Sequence, residues 1–508
     1  MITLDAKLNI LNSQILERWN ANSPFIHWPW ARPAHVRVLL YMEGASFDGG
    51  SFHGLKHVIA TLQASLWYWV KFDVTTVNRG ADPTAMQQNK TLDQLNLSAN
   101  FDQVWLFGVS PNNQPYVNLL SPAEITAITD FMQHGGGVLT TGDHASLGRG
   151  ISGTVPRAGS MRLYPAPDNV APDYNTTLER GHDGIFDFYD QSDDIPQSIR
   201  LRRYPLWDFF PRPFSSRWAP HPILCGINGP INVLPDHEHE GEAIIPSSFP
   251  ASEWPSKAGN HPLPDVTARG RLKDPAATRV GQEIGVISAY DGHRADIGRV
   301  AADSTWHHFF DIDLLGDPSA DPVNDNGYIA TPAGQKALKQ IENYYLNLAV
   351  WLAPPNAQKA MRDALWWSLI WTNKYLELSS AVDRLPIIYL GEQASDVFGR
   401  IASQCTQRQW FFWELLDPVV RLRLEKTLQE GNPLPPQIEK FVLGSIVKHL
   451  LINFGANEKR QEPGEPPKPE AIDKLLRVAT EQGKADMFKY HNGLVQNIEG
   501  LTQKRPIG

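Results

Sequence analysis

SPAEITAITDFMQHGGGVLTTGDH (residues 121–144) reads as a helix, a glycine turn, a strand and a polar elbow in succession. Ser121 stands as an N-cap, Pro122 takes the first helical position, and Glu124 follows three residues after the cap. In that pattern the cap side chain and the third residue satisfy each other's backbone N–H groups. Gly135-Gly136-Gly137 stops the helix and leads into a short apolar run. Because the glycines precede a strand, they make a close-packed turn and not a phosphate cradle. A helix running straight into a strand buried on both faces is the repeating unit of a parallel α/β sheet.

The same grammar extends outward. Upstream, HVRVLLYMEG (35–44), FDVTTVN (72–78) and FDQVWLFGV (101–109) read as buried strands, and HGLKHVIATLQASLWYW (53–69) as a helix between the first two. Residues 1–35 form a polar helix and an aromatic entry, FIHWPWARP. Downstream, residues 145–283 lose the rhythm and fill with Pro, Gly, Asp and aromatics, as functional insertions do. EIGVISAYDG (283–292) and GRVAADSTW (298–306) then read as strands, and GQKALKQIENYYLNLAVWLAP (334–354) as a closing helix. The expectation over 36–355 is an α/β, flavodoxin-like, doubly wound and mostly parallel sheet, with the 145–283 insertion built over its edge. Residues 356–508 read as helical, with tryptophans at 366, 367, 371, 410 and 413 and a Pro/Glu/Lys linker at 457–470. FVLGSIVKHLLINF (441–454) is short and broken by Lys448 and His449, so it reads as a buried helix and not a membrane span.

Composition narrows the function classes. The 508 residues carry a formal charge of −9, which argues against an electrostatic grip on nucleic acid. Two cysteines, Cys225 and Cys405, exclude a disulfide framework or a Cys-rich zinc module. The first twenty residues lack a basic segment followed by an apolar run, so a cytoplasmic compartment is expected. No Walker A loop, Gly-x-Gly-x-x-Gly, Gly-x-Ser-x-Gly or His-Glu-x-x-His motif occurs, and no nucleotide cofactor is expected.

The order FDQVWLFG, edge helix, triple-glycine strand and elbow resembles the core of class I glutamine amidotransferase-like proteins. It is nearest the trehalose-utilisation-protein-like branch. His221-Pro222-Ile223, the GRVAADSTWHH strand end and the AVWLAP helix end match that branch, so the resemblance covers roughly 36–144 and 284–353. It implies a ligand site at the carboxyl edge of the sheet and a small, carbohydrate-like substrate. One departure is decisive. Glutaminases of this fold place a nucleophilic cysteine at the elbow, whereas here the elbow is Thr141-Gly142-Asp143-His144-Ala145. Glutamine hydrolysis is not expected, and Cys225 and Cys405 read as core residues.

Ligands in such sheets gather beyond the carboxyl ends of the strands. The first strand end offers Glu43, Ser46, Asp48 and His53; the fourth, Asp143 and His144; the last, Trp306, His307, His308, Asp311 and Asp313. Asp143, His144, His307 and His308 are the candidate acid–base groups, with Glu43, Asp48, Glu238 and Trp306 as substrate contacts. Each is equally readable as a polar loop residue, and Asp48 and Asp143 as helix caps. The densest signal is Asp236-His237-Glu238-His239-Glu240-Gly241-Glu242. On an extended segment His237 and His239 share one face, and with Glu242 they make a ligand set for Zn, Mn or Fe. A charged solvated loop is the competing reading. Arg149, Arg157, Arg162, Arg202, Arg203 and Arg217 lie in the insertion, as carboxylate or phosphate partners or as ion pairs.

Two functional expectations follow. The first is a metal-assisted hydrolase or lyase acting on a small polar substrate. The second is a catalytically silent binding or scaffold protein, with 356–508 serving self-association or a protein partner.

Overall fold

The computed structural model describes residues 33–48, 54–64, 69–109, 120–143, 146–164, 196–205, 218–227, 229–235, 241–257, 259, 261–273, 280–316, 327–369, 379–399, 436–458 and 469–503. Its centre is an eight-stranded sheet of β1 (Ala34–Glu43), β2 (Val70–Asn78), β3 (Gln103–Gly108), β4 (Gly137–Thr140), β5 (Arg200–Leu201), β6 (Asp265–Arg271), β7 (Glu283–Tyr290) and β8 (Val300–Asp303). The spatial order is β2-β1-β3-β4-β8-β7-β6-β5. From β2 to β8 every pairing is parallel, and from β8 to β5 every pairing is antiparallel.

The strands sit where the apolar runs lie, and β1 shows why. Val36, Val38, Leu40 and Met42 feed one core, while Leu39 and Tyr41 feed the other, as side chains alternate along a strand. Helices α1 (Lys56–Gln63), α3 (Pro332–Leu352) and α4 (Pro355–Leu369) belong to the first core. Helix α2 (Pro122–Gln133) covers the second.

The cap read at Ser121 is present. Its Oγ accepts from Glu124 N at 3.3 Å, and Glu124 Oε2 accepts from Ser121 N at 2.8 Å. Such caps contribute about 1 kcal/mol. Gly135 takes φ +93, the left-handed turn that ends α2. A Cβ on Gly137 would lie 2.1 Å from Leu352 O, so β4 and the end of α3 touch only because that residue is glycine.

Two features go beyond the sequence reading. EIGVISAYDG does not continue the parallel series. The connection from Tyr290 to Val300 is a short stretch with one 3₁₀ turn, Gly292–Ala295. A parallel neighbour needs a crossover of a dozen residues or more, so this link permits only an antiparallel pair. The insertion also does more than cover an edge. It contributes β5 and β6 to the sheet and makes several two-stranded ladders, among them Arg162–Leu163 with Glu242–Ala243 and Gln197–Ser198 with Val233–Leu234.

The C-terminal region supplies α5 (Ile387–Gly399), α6 (Pro436–Glu458) and α7 (Pro469–Gln503). Trp366 and Trp367 are buried, and with Leu390, Ile446 and Leu475 they join the core that underlies β1. The other three tryptophans of this region, and Cys405, lie outside the described residues. Among the described residues no helix is long and apolar enough to cross a membrane.

Candidate functional site

The chemistry concentrates in one continuous segment, Asp303-Ser304-Thr305-Trp306-His307-His308-Phe309-Phe310-Asp311-Ile312-Asp313, which leaves the carboxyl end of β8. A 3₁₀ turn at Trp306–His308 is followed by a short helical turn at Asp311–Leu315. β4 lies beside β8, with Thr140 in register with Ala302, so the elbow after β4 delivers Asp143 to the same edge.

His307 is the centre of this edge. Its Nδ1 lies 2.8 Å from Asp313 Oδ2, and its Nε2 faces Asp143 Oδ2 at 3.8 Å. The first separation is a hydrogen bond and the second is too long for one, which assigns the proton to Nδ1. Asp143, His307 and Asp313 are all buried. Thr305 fixes their relative position, because its Oγ1 donates to Asp143 Oδ1 at 3.1 Å and accepts from His307 N at 3.1 Å.

Beneath the imidazole, Trp306 is packed at 4.1 Å between ring centroids. The indole Nε1 donates to Gly108 O at 2.9 Å, and Trp306 N donates to Gly142 O at 2.6 Å. Trp306 therefore ties the ends of β3 and β4 to the segment. It is 2% exposed, so it supports the site from below and offers no open stacking face.

His308 plays a different part. Nδ1 lies 2.6 Å from Asp303 Oδ1, and Nε2 lies 2.8 Å from Gln197 Nε2. Asp303 also accepts from Tyr344 Oη at 2.6 Å and from Thr305 N at 3.2 Å. Burial pushes the Tyr344 hydroxyl well above its ordinary range, with the Asp303 charge adding to it, so it stays protonated and donates. The carboxylate can only accept, so His308 donates from Nδ1 and takes the Gln197 amide on Nε2. Gln197 Nε2 also donates to Pro235 O at 3.0 Å. His308 is thus a strut joining the insertion to the sheet, and His307 is the histidine between the carboxylates of β4 and the helical turn.

Arg162 closes the edge from the other side. It is fully buried, donating from Nε and Nη2 to Ser304 O at 3.2 and 2.6 Å and from Nη2 to Asp143 O. Burial lowers its pKa, opposed by the neighbouring Tyr164, Asp143 and Asp303, and it remains the local cation. Gly142 and Gly241 make room for it, since a Cβ would come within 2.7 Å of Cζ at the first and 1.9 Å of Nη2 at the second.

The remaining candidates divide clearly. Glu43 sits half-buried at the end of β1. Asp48 pairs with Lys56 at the start of α1, and its N donates to Thr84 Oγ1 at 3.1 Å. Asp311 caps α1 by accepting from Lys56 N at 2.9 Å and His57 N at 2.8 Å, and burial raises its pKa. Glu242 is half-buried beside Leu163, and Gly241 N donates to Ser304 O at 3.2 Å, which brings this end of the acidic loop to the site. His53, His144, His237, Glu238 and His239 lie outside the described residues. Cys225 is a buried thiol in a short strand, paired with Pro230.

Among the described residues no group of three His, Cys, Asp or Glu side chains comes together as a metal set. His307 Nε2 and Asp143 Oδ2, at 3.8 Å, are the two donors that face each other. Two ligands of one tetrahedral ion lie about 3.4 Å apart, so this pair suits two corners of such a site.

Sequence reasoning did not name Gln197, Thr305 or Tyr344, and it placed Arg162 only among six insertion arginines. The flanking of His307-His308 by Asp303 and Asp313 was the available signal for the paired imidazoles. No family model, no curated protein and no solved structure matches the chain.

Proposed function

We propose that the chain is an enzyme of hydrolase or lyase type whose acid–base centre is His307, acting on a small polar substrate at the carboxyl edge of the sheet. The observation that carries this reading is the buried imidazole with Asp313 on Nδ1 at 2.8 Å and Asp143 beyond Nε2. Asp313 holds the ring in the tautomer that leaves Nε2 as the base. Nε2 takes a proton from water or from a substrate hydroxyl, and the imidazolium so formed lies between two carboxylates. The same nitrogen then returns the proton to the leaving group. Arg162, donating to the backbone carbonyls of Asp143 and Ser304, keeps the two strand ends in place during that cycle.

The parallel order β2-β1-β3-β4-β8 supports a flavodoxin-like, doubly wound reading, and with it the resemblance to class I glutamine amidotransferase-like proteins. Asp143 occupies the elbow, so the chemistry is imidazole and carboxylate and not thiol. The carbohydrate-like character of the substrate rests on the resemblance to the trehalose-utilisation branch alone.

The test is a panel of small glycosides, esters, lactones and amides, assayed with the native protein and with His307→Asn. General acid–base groups contribute about 10²–10⁴-fold, and the variant is expected to lose turnover by that factor while its circular dichroism is unchanged. Undiminished turnover in His307→Asn would sink the proposal.

A second reading is favoured by the facing pair of His307 Nε2 and Asp143 Oδ2. In it the pair holds a Zn, Mn or Fe ion with Glu242, His237 and His239 as further ligands, and the ion supplies Lewis acidity. Asp143, Glu242 and His307 are the members of that set among the described residues. Metal analysis of the native protein against His237→Ala/His239→Ala separates the readings: stoichiometric metal lost in the variant supports the second, and no metal in either supports the first.

A further inference from the structure

Asp311 and Asp313 stand two residues apart on the short helical turn Asp311–Leu315, and their carboxylates hold different parts of the molecule. Asp313 Oδ2 lies 2.8 Å from His307 Nδ1. Asp311 instead accepts from Lys56 N at 2.9 Å through Oδ2 and from His57 N at 2.8 Å through Oδ1. Its own N donates to Gly54 O at 2.8 Å. Lys56 and His57 lie 255 and 254 positions away in the chain.

The first turn of α1 depends on this distant residue. Leu55, which precedes the helix, makes no side-chain cap. A carboxylate that accepts first-turn N–H groups takes that role. The fit is close: Asp311 is 4% exposed, and a Cβ on Gly54 would lie 2.5 Å from Asp311 Oδ2. α1 is itself fixed, with His57, Val58, Thr61 and Leu62 buried and His57 Nε2 3.5 Å from Glu342 Oε1 of α3. The turn that carries Asp313 has five residues, too few to stand by its own hydrogen bonds. Ile312, Leu314 and Leu315 are buried, but apolar burial has no direction. The bonds of Asp311 to Gly54, Lys56 and His57 supply that direction at the start of the turn.

We propose that Asp311 is a positioning residue for the acid–base centre: by clamping the turn to the start of α1 it keeps Asp313 on His307 Nδ1. The clamp thereby holds the ring in the tautomer that leaves Nε2 as the base. This role rests on the acid–base reading of His307, and it separates from a plain helix cap. A cap alone steadies α1 and leaves the His307 ring as it is, whereas the clamp acts on the ring through a carboxylate two residues further along the turn.

The experiment is Asp311→Asn in the full chain, read by nitrogen-15 NMR of the histidine rings. Asparagine keeps the shape, but its NH₂ group cannot accept, so one of the two backbone N–H bonds is lost. Ser121→Ala, which removes the side-chain cap of α2, is the control for the general loss of a helix cap. The His307 Nδ1 signal is expected to shift in Asp311→Asn and to stay native in Ser121→Ala. On a panel substrate that turns over, kcat is expected to fall about tenfold at unchanged KM, within what a small misplacement of a catalytic group costs. Gly54→Ala, which drives a methyl group against Asp311 Oδ2, should shift the same signal and serves if Asp311→Asn does not fold. A native His307 signal in Asp311→Asn, or in Gly54→Ala where that variant stands in, overturns the clamp, and so does an equal shift in Ser121→Ala. The two readings fail separately. A native ring signal in Asp311→Asn with turnover lost in His307→Asn removes the clamp alone, and a shifted signal with turnover undiminished in His307→Asn removes the acid–base reading and upholds the clamp.

Discussion

Replacing Thr305 by valine tests the scaffold of the site at one hydroxyl. Thr305 is buried, and its Oγ1 donates to Asp143 Oδ1 at 3.1 Å while accepting from His307 N at 3.1 Å. Valine keeps the shape and removes both bonds. Losing a bond to a carboxylate costs about 1.5–3 kcal/mol, and stranding a buried N–H costs about 1–3 kcal/mol. The two share one atom and are not additive, so the combined loss is about 3 kcal/mol. With a urea slope of about 3 kcal/mol/M, the unfolding midpoint falls by about 1 M. Thr305→Ser keeps the hydroxyl and serves as the control, expected within about 1 kcal/mol of native because only a methyl group is lost. The assay is urea unfolding followed by tryptophan fluorescence for all three proteins. A valine variant within 0.5 kcal/mol of native, on the order of the scatter for surface changes, would refute the reasoning. So would a serine variant as unstable as the valine one.

Three further outcomes follow from the same geometry. Gly241→Ala places a Cβ 1.9 Å from Arg162 Nη2 and 2.8 Å from Ser304 O, so it should cost about 1–3 kcal/mol in urea unfolding, as overpacking does. Gln197→Leu removes the amide linking His308 to Pro235 O, and limited proteolysis should then cut the 231–241 region faster than in native protein. Burial lowers the His221 pKa from 6.5 to about 3, with Asp291 opposing and Arg299 reinforcing the shift. The unfolded chain therefore binds a proton that the folded one refuses between those values. This contribution to stability is complete above pH 6.5 and is lost as pH falls toward 3. His221→Asn should flatten the pH dependence of the unfolding midpoint over that window by about one proton, and an unchanged slope would contradict the assignment.

The parallel half of the fold was legible because its signals are local. Apolar runs, the Ser121–Glu124 cap and the glycine turn sit within a few residues of the elements they define. Strands β5 and β6 were not legible. Arg200–Leu201 is too short for a pattern, and Asp265–Arg271 mixes charged residues with a glycine. Both depend on pairing with distant strands and not on their own sequence. At the site, the segment 303–313 announced itself by its paired histidines. Which histidine faced the elbow was decided by Gln197 and Tyr344, each far along the chain from His308. Arg162 looked like one insertion arginine among several. Its role comes from two carbonyls that meet only in the folded sheet.

The central claim is that His307 presents an unprotonated Nε2 toward Asp143 while Asp313 holds Nδ1–H. Nitrogen-15 NMR of histidine-labelled protein, with His307 identified by its loss in His307→Asn, reads this directly. The arrangement predicts a protonated, pyrrole-type Nδ1 and a pyridine-type Nε2, with the Nδ1 signal altered in Asp313→Asn. A neutral ring carrying its proton on Nε2 would contradict it, because that nitrogen could not then serve as the base.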